Sequence, residues 1–262
     1  MFHVKRRIVA VANQKGGVGK TTTAISLAAA LAAYERRTLL LDLDPQSNTS
    51  AGLGVRPAPG EPTSYQLLMG EVGLDGALRP TGFPNLDLVP ATPDLAGAEV
   101  ELVDLEGREF RLREGLAADA GHRFVLVDCP PSLGLLTVNA LAAADGVLVP
   151  IQCEYFALEG VSELMRTIQE VRRYLNPALA IEGVLLTMYD ERTNLAQQVA
   201  QEVRGVFGDL VFATVVPRNV RLAEAPSFGR PIHAYDLRSR GAQAYLELGQ
   251  EYLGRMGGAD GT

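Results

Sequence analysis

The stretch "IVAVANQKGGVGKTTTAISLAAAL", running from Ile8 to Leu31, limits what this chain can fold into more than any other. An apolar run, Ile8–Ala12, enters a turn containing Gly16, Gly17 and Gly19, and an alanine-rich segment follows from Lys20 to Tyr34. Strand, glycine turn, helix is the context in which backbone N–H groups can turn toward phosphate oxygens, with the positive end of the helix behind them. Lys20 would supply a point charge to the β- and γ-phosphates, and Thr21 a hydroxyl for Mg²⁺. The ordinary pattern, G-x-x-x-x-G-K-[ST], asks for glycine at position 14, where this chain has Gln14. Lys15 opens the loop instead, in "KGGVGKT". This is the deviant Walker A motif, which is more specific than the ordinary one. Its extra lysine has no place in the ordinary scheme; a second charge for the chain's own phosphates is one reading.

Further along, apolar runs rich in Val, Ile and Leu alternate with longer amphipathic segments. Strands are expected at Ile8–Ala12, Thr38–Leu43, Leu86–Val89, Phe124–Val127, Gly146–Ile151, Gly183–Thr187 and Val211–Val215, several of them apolar on both faces. Helices are expected at Lys20–Tyr34, Pro93–Leu105, Leu133–Ala143, Leu158–Leu175, Asn194–Phe207 and Ser239–Met256. The alternation predicts an α/β fold, a doubly wound, mainly parallel twisted sheet flanked by helices. The Pro- and Gly-richer region Val55–Pro84 reads as loops and short helices. With 262 residues, 47% of them hydrophobic, and no internal linker, one domain over 1–256 is expected, followed by a frayed tail, 257–262, "GGADGT". The basic start leads straight into the glycine turn, which argues against a signal peptide, and no apolar stretch reaches the ~20 residues needed to span a bilayer. A cytoplasmic protein is expected.

Two acidic motifs follow the loop. "LLLDLDPQ" ends a strand with Asp42 and Asp44. A carboxylate beside a γ-phosphate can orient water or accept its proton, but Asp44 before Pro45 also fits a plain turn, and Asp42 a hydrogen bond to loop backbone. Gln46 is a weaker candidate for polarising the same water. "FVLVDCPP" is an apolar run closed by Asp128, the Walker B pattern, which places an acid where it can reach Mg²⁺ through water; capping the next helix is the plainer role. Pro130 and Pro131 stiffen the turn beyond it. Cys129 and Cys153, isolated among apolar residues, have neither zinc spacing nor a disulfide framework and read as buried structural thiols. His3, His122 and His233 flank no nucleophile and are assigned no chemistry.

The motifs "ANQKGGVGKTTTAISLAAAL", "LLLDLDPQSNTS", "FVLVDCPPSLGLLTVNAL", "VPIQCEYFALEGV" and "VPRNVRLAEAPSFGRPI" cover nearly the whole chain. Together they resemble the ParA/Soj family of chromosome- and plasmid-partition ATPases, within the larger group that includes MinD and the nitrogenase iron protein. The resemblance implies an Mg²⁺-dependent ATPase of slow intrinsic turnover, with ATP or ADP held by Lys15, Gly16, Gly17, Val18, Gly19, Lys20, Thr21 and Thr22. It implies that Lys15 crosses a dimer interface to the partner's ATP while Lys20 serves its own. Two triphosphates facing each other repel, and a lysine lent from each side offsets that repulsion only while triphosphate is present. The resemblance also puts Asp44 near the attacking water and the Mg²⁺ shell shared with Thr21 and Asp128. Pro217 and Asn219 are placed against the adenine, with Met188 covering its other face.

The chain carries 24 basic and 31 acidic residues, a net charge of −7, so any DNA site must be local. The segment 218–240 contains Arg218, Arg221, Arg230, Arg238 and Arg240 against Glu224 and Asp236, a balance of +3 (five minus two). Paired arginines on a solvated face are the alternative. With the resemblance, the segment implies non-specific double-stranded DNA binding, strengthened when an ATP-dependent homodimer sets two such patches together, and a nucleoid-associated location. A ParB/Spo0J-type centromere-binding partner is implied as the stimulator of hydrolysis. With the glycine turn starting near residue 13, no N-terminal helix-turn-helix domain is expected.

Other members of the wider group set the competing readings. A MinD-like membrane-associated ATPase regulating division-site placement needs a basic amphipathic C-terminal helix. Here "GAQAYLELGQEYLGRMGGADGT" reads as core-packed, so no stable membrane association is expected. An iron–sulfur reductase component needs cysteines that share a cluster, and neither Cys129 nor Cys153 matches. A tyrosine kinase needs a tyrosine-rich tail, and the eight tyrosines are scattered.

Overall fold

The structure, a computed structural model, describes residues 6–119, 121–155 and 157–259; His3 and the end of the expected tail, 260–262, lie outside them. Strand β1 (Arg7–Val11) precedes α1 (Lys20–Ala33), and β2 (Thr38–Asp42) precedes α2 (Asn48–Gly52). Two short helices, α3 (Ser64–Met69) and α4 (Leu74–Ala77), lead to β3 (Arg79–Pro80) and β4 (Leu86–Val89). Next come α5 (Leu95–Glu101), α6 (Arg111–Gly115), β5 (Phe124–Asp128) and α7 (Leu135–Ala143). Then β6 (Gly146–Gln152), α8 (Glu159–Tyr174), β7 (Ala180–Tyr189), α9 (Asn194–Phe207) and β8 (Val211–Pro217) complete the sheet. The chain closes with α10 (Val220–Glu224), α11 (Ile232–Tyr235) and α12 (Arg240–Ala259).

All eight strands form one sheet in the order β3-β4-β2-β5-β1-β6-β7-β8. Every pairing is parallel except β3 with β4. Successive strand residues serve opposite layers. Leu39 and Leu41 belong to one core with Val125 and Val127, whereas Leu40 belongs to the other with Phe124 and Leu126. Two apolar faces are what a parallel sheet covered on both sides requires. Helix α12 packs on α1 and β8 through Tyr245, Leu248 and Tyr252. On the other face α8 buries Val161, Leu164, Ile168 and Val171, and α9 buries Ala196, Val199, Ala200 and Val203, each at helical spacing. Each fully buried leucine contributes about 1.5–3 kcal/mol.

The differences from expectation have local causes. The antiparallel β3 was not expected, because its residues, Arg79 and Pro80, have no apolar pattern. The segment Pro93–Leu105 is no single helix: α5 stops at Glu101 and a tighter turn, Leu102–Asp104, follows. Strand β7 is longer than Gly183–Thr187, the charged Glu182 interrupting the apolar run on its N-terminal side. Helix α12 runs to Ala259, into the segment expected as tail. His122 is structural: Nδ1 meets Asp119 Oδ1 and Nε2 meets Asp87 Oδ2, both at 2.9 Å. Burial alone would lower its pKa, but those two carboxylates outweigh it and raise it. His233 is buried, and burial pushes its pKa down to about 4 against an opposing pull from the Ala242 backbone.

Gly54 and Gly229 both have positive φ, +71° and +63°, and touch backbone to backbone; a Cβ on Gly229 would lie 2.8 Å from Gly54 Cα. The left-handed conformation costs a side chain about 1–2 kcal/mol and the overlap adds to it, so Gly229→Ala is expected to lower Tm by about 4–8 °C. Gly60→Ala is the control, with positive φ and open space around the position. Equal loss of Tm in the two variants would show that the contact is slack.

Candidate functional site

The parallel register gathers the three motifs. Val11 pairs with Asp128, and Asp42 pairs with Asp128 from the other side, so the glycine turn and both acidic motifs leave the sheet at neighbouring strand ends. This is the carboxyl edge where open parallel sheets hold ligands.

Gly19 precedes α1 with φ 89° and ψ 25°, a conformation that glycine takes freely, and no side chain caps the helix. The first amides of α1 are therefore left for a ligand. Gly16, Gly17, Gly19, Lys20, Thr21 and Thr22 line a cavity of about 340 Å³ together with Asp44, Gln46 and Met188. Val18 contributes only backbone: its side chain is buried, and its carbonyl accepts from Thr187 Oγ1 at 2.8 Å. A second cavity, about 350 Å³, shares Gly19, Thr22 and Met188 with the first and adds Pro217, Asn219, Val220 and Tyr245. Met188 sits between the two with φ 50°, unusual for a non-glycine residue. Asn219 uses its Oδ1 to cap α10, accepting from Arg221 N at 2.8 Å.

The two lysines behave differently. Lys20 is buried, and its ammonium donates to the Lys15 carbonyl at 3.1 Å, folded onto its own loop. Burial lowers its pKa, against the pull of Asp128, Cys129 and Asp44. Lys15 is not among the residues lining the phosphate cavity. Its N–H is held by Asn13 Oδ1 at 3.0 Å, Asn13 in turn donates to the Pro150 carbonyl at 2.7 Å, and the Lys15 Cβ faces Gly160.

Asp128 is fully buried. Its Oδ2 accepts from Thr21 Oγ1 at 2.8 Å and Thr49 Oγ1 at 2.7 Å, while its Oδ1 is buried with no partner among the described residues. Burial, and then the neighbouring charge of Asp42, push its pKa up to about 7. Asp42, pushed up to about 6 by burial, accepts from Ser50 Oγ at 2.6 Å, Ser50 N at 2.9 Å and Asp44 N at 3.2 Å. Asp44 Oδ1 accepts from Gln46 N at 2.9 Å, so the residue makes the turn and also faces the phosphate cavity. Buried carboxylates crowded together, one with an orphaned oxygen, fit a cation such as hydrated Mg²⁺. Among the described residues no group of three or more His, Cys, Asp and Glu side chains could hold a metal alone. Mg²⁺ would depend on phosphate oxygens as well, as this ion usually does.

The arginines do not form one face of free charge. Arg218 pairs with Glu154 at 2.9 Å, Arg221 with Glu224 at 2.7 Å and Asp236 at 3.6 Å, and Arg240 with Glu191 at 3.6 Å. Two of these acids, Glu154 and Glu191, lie outside the segment counted at +3. Arg218, Arg238 and Arg240 line a cleft of about 680 Å³, whereas Arg230 lines a separate groove beside Leu53 and Phe83. Sequence reasoning missed Arg192, which lines the same cleft with its side chain 83% exposed and paired to Asp190 at 2.8 and 2.9 Å. Exposed ion pairs are worth about 0–1 kcal/mol, so these arginines remain available to a polyanion.

The cysteines are free and buried, with burial pushing the Cys153 thiol up to about 12. Among the described residues no helix is long and apolar enough to cross a membrane.

Comparison with known proteins gives a consistent picture. The family model described as an AAA domain matches residues 6–181. The chromosome partitioning protein ParA of Myxococcus xanthus is 57% identical over 250 residues, 95% of this chain and 88% of that one. The chromosome-partitioning ATPase Soj of Thermus thermophilus is 56% identical over 256 residues, 98% of this chain and 99% of that one. Among solved structures, a Mycobacterium smegmatis protein named cobyrinic acid a,c-diamide synthase, with ADP and magnesium bound, superposes with TM-score 0.84 at 41% identity, covering 96% of each chain.

Proposed function

The chain belongs to the ParA/Soj family of chromosome-partitioning ATPases, and we propose that it works as a nucleotide-switched dimer that holds DNA while ATP is bound and releases it after hydrolysis. The protein cleaves ATP, with Mg²⁺, to ADP and phosphate. The observation that carries the site assignment is the pair of joined cavities: one under the uncapped amides of α1, the other walled by Met188, Pro217 and Asn219. They suit a triphosphate and a base respectively.

In the proposed mechanism the amides of Gly16–Thr22 and the Lys20 ammonium hold the phosphates, Lys20 leaving the Lys15 carbonyl to do so. Thr21, Asp128 and Asp44 would hold the Mg²⁺ or its water shell; when bound, the ion neutralises charge developing on the β- and γ-phosphates. Asp44 orients the attacking water and takes its proton, and Gln46 assists. Lys15 stands outside its own phosphate cavity, which favours the partner's ATP as its target over a second charge in cis. Met188 and Pro217 enclose the adenine. A ParB/Spo0J-type partner accelerates the reaction, and the protein acts in the cytoplasm on the nucleoid. The MinD-like reading is the weaker one: α12 spends its apolar face on the core, through Tyr245, Leu248 and Tyr252.

DNA retention on a filter, measured with ATP, ADP and no nucleotide, tests the switch; equal retention in all three would end the proposal. The arginines have their own test. Arg192→Ala with Arg238→Ala removes four cations per dimer, and is expected to flatten the log–log salt dependence of DNA retention by up to about 4 while leaving DNA-free ATP turnover unchanged. An unchanged salt slope would move the DNA face elsewhere.

A further inference from the structure

Thr49 and Ser50 lie in the first turn of helix α2, and each binds a different buried acid. Thr49 Oγ1 donates to Asp128 Oδ2 at 2.7 Å, on the same oxygen that Thr21 Oγ1 reaches at 2.8 Å. Ser50 Oγ donates to Asp42 Oδ2 at 2.6 Å and accepts from Ala91 N at 2.9 Å. Both hydroxyl residues are buried, and neither lines the phosphate cavity. Neither would touch the nucleotide, and neither belongs to the glycine loop or to the acids assigned above.

A carboxylate has two equivalent oxygens, and its hydrogen bonds decide which one stays open. At Asp128 two hydroxyl donors occupy Oδ2, while Oδ1 is buried and, among the described residues, unpartnered. Thr21 alone would leave the group free to turn about its own bond, and Thr49, fixed on a different helix, removes that freedom. Thr49 also anchors the loop before it. Ser47 N–H donates to the Asp44 carbonyl at 2.8 Å, and Ser47 takes φ 51° to enter α2. The Asp44 turn is therefore tied at its far end to Asp128 through Thr49.

We propose that Thr49 is a positioning residue of the Mg²⁺ site: its hydroxyl, together with that of Thr21, sets the orientation in which Asp128 meets the hydrated ion, and it fixes the loop carrying Asp44 against that acid. The inference rests on the nucleotide reading of the site. Removing a group that orients a metal-binding residue usually weakens metal affinity by about 10–100-fold.

The test uses the full chain and a fluorescent ATP analogue, with nucleotide binding followed first in EDTA and then through an Mg²⁺ titration. Parent protein that binds no analogue in either condition would defeat the nucleotide reading itself. Thr49→Val keeps the shape and loses the hydroxyl; it is expected to bind the analogue in EDTA within about two-fold of parent and to need about 10-fold more Mg²⁺ for half-saturation. Thr49→Ser keeps the hydroxyl and should need Mg²⁺ close to the parent level. Equal shifts in Thr49→Val and Thr49→Ser would mean packing rather than orientation, and no shift in Thr49→Val would mean no role; either overturns the proposal. Should Thr49→Val fail to fold, Thr49→Ala replaces it, and the same two outcomes decide.

Discussion

Lys15→Gln is expected to bind Mg-ATP as the parent does and to remain a single subunit at ATP saturation. The side chain lies outside its own phosphate cavity, while its backbone helps shape the loop: the N–H is held by Asn13 and the carbonyl receives Lys20. Glutamine keeps that backbone and removes only the cation. A hydrogen bond to a charged group is worth about 1.5–3 kcal/mol, and two-fold symmetry doubles the loss. About 3–6 kcal/mol corresponds to a dimer dissociation constant raised by roughly 10²–10⁴. Sedimentation velocity in an Asp44→Ala background, where hydrolysis cannot dissolve the dimer, makes the comparison clean. A dimer of parent strength in that double variant would return Lys15 to its own phosphates.

Asp44→Ala should have the opposite outcome: turnover lost, assembly kept. A positioned general base contributes about 10²–10⁴ in rate, so phosphate release is expected to fall by about that factor. The substitution leaves the α1 amides, Lys20, Thr21 and Asp128 in place to hold Mg-ATP, so binding is expected to survive the loss of Asp44. DNA held in the presence of ATP should then stay bound long after the parent has let go. The turn made by Asp44 Oδ1 with Gln46 N is lost too, so Asp44→Asn, which keeps an acceptor without a base, is the companion variant. If Asp44→Asn turns over like the parent, Asp44 only builds the turn and the base must be sought elsewhere.

Much of the architecture was legible in adjacent residues. The runs around Leu39–Leu41 and Val125–Val127 are apolar at every position and too short for a buried helix, which fits a strand covered on both faces. The glycine turn was legible because φ 89° at Gly19 is a backbone demand that glycine meets at little cost. The short helices α6, α10 and α11 were not, being too brief to show a period. The pairing of the arginine segment was not legible either: besides Glu224 and Asp236 within it, two of its partner acids come from other parts of the chain, Glu154 from beyond β6 and Glu191 from beyond β7.

From sequence alone followed the strand–turn–helix unit, the acids at the ends of β2 and β5, and a sheet buried on both faces. Each depends on a backbone dihedral or a hydrophobic period, properties that neighbouring residues set among themselves. Tertiary structure alone decided which oxygen of Asp128 is left without a hydrogen-bond partner among the described residues, that Thr49 holds the other, that Lys15 stands away from the cavity Lys20 lines, and which arginines are paired. Those depend on strand order and register, which bring together side chains as distant in the chain as Thr49 and Asp128, and no local property of either residue encodes that meeting.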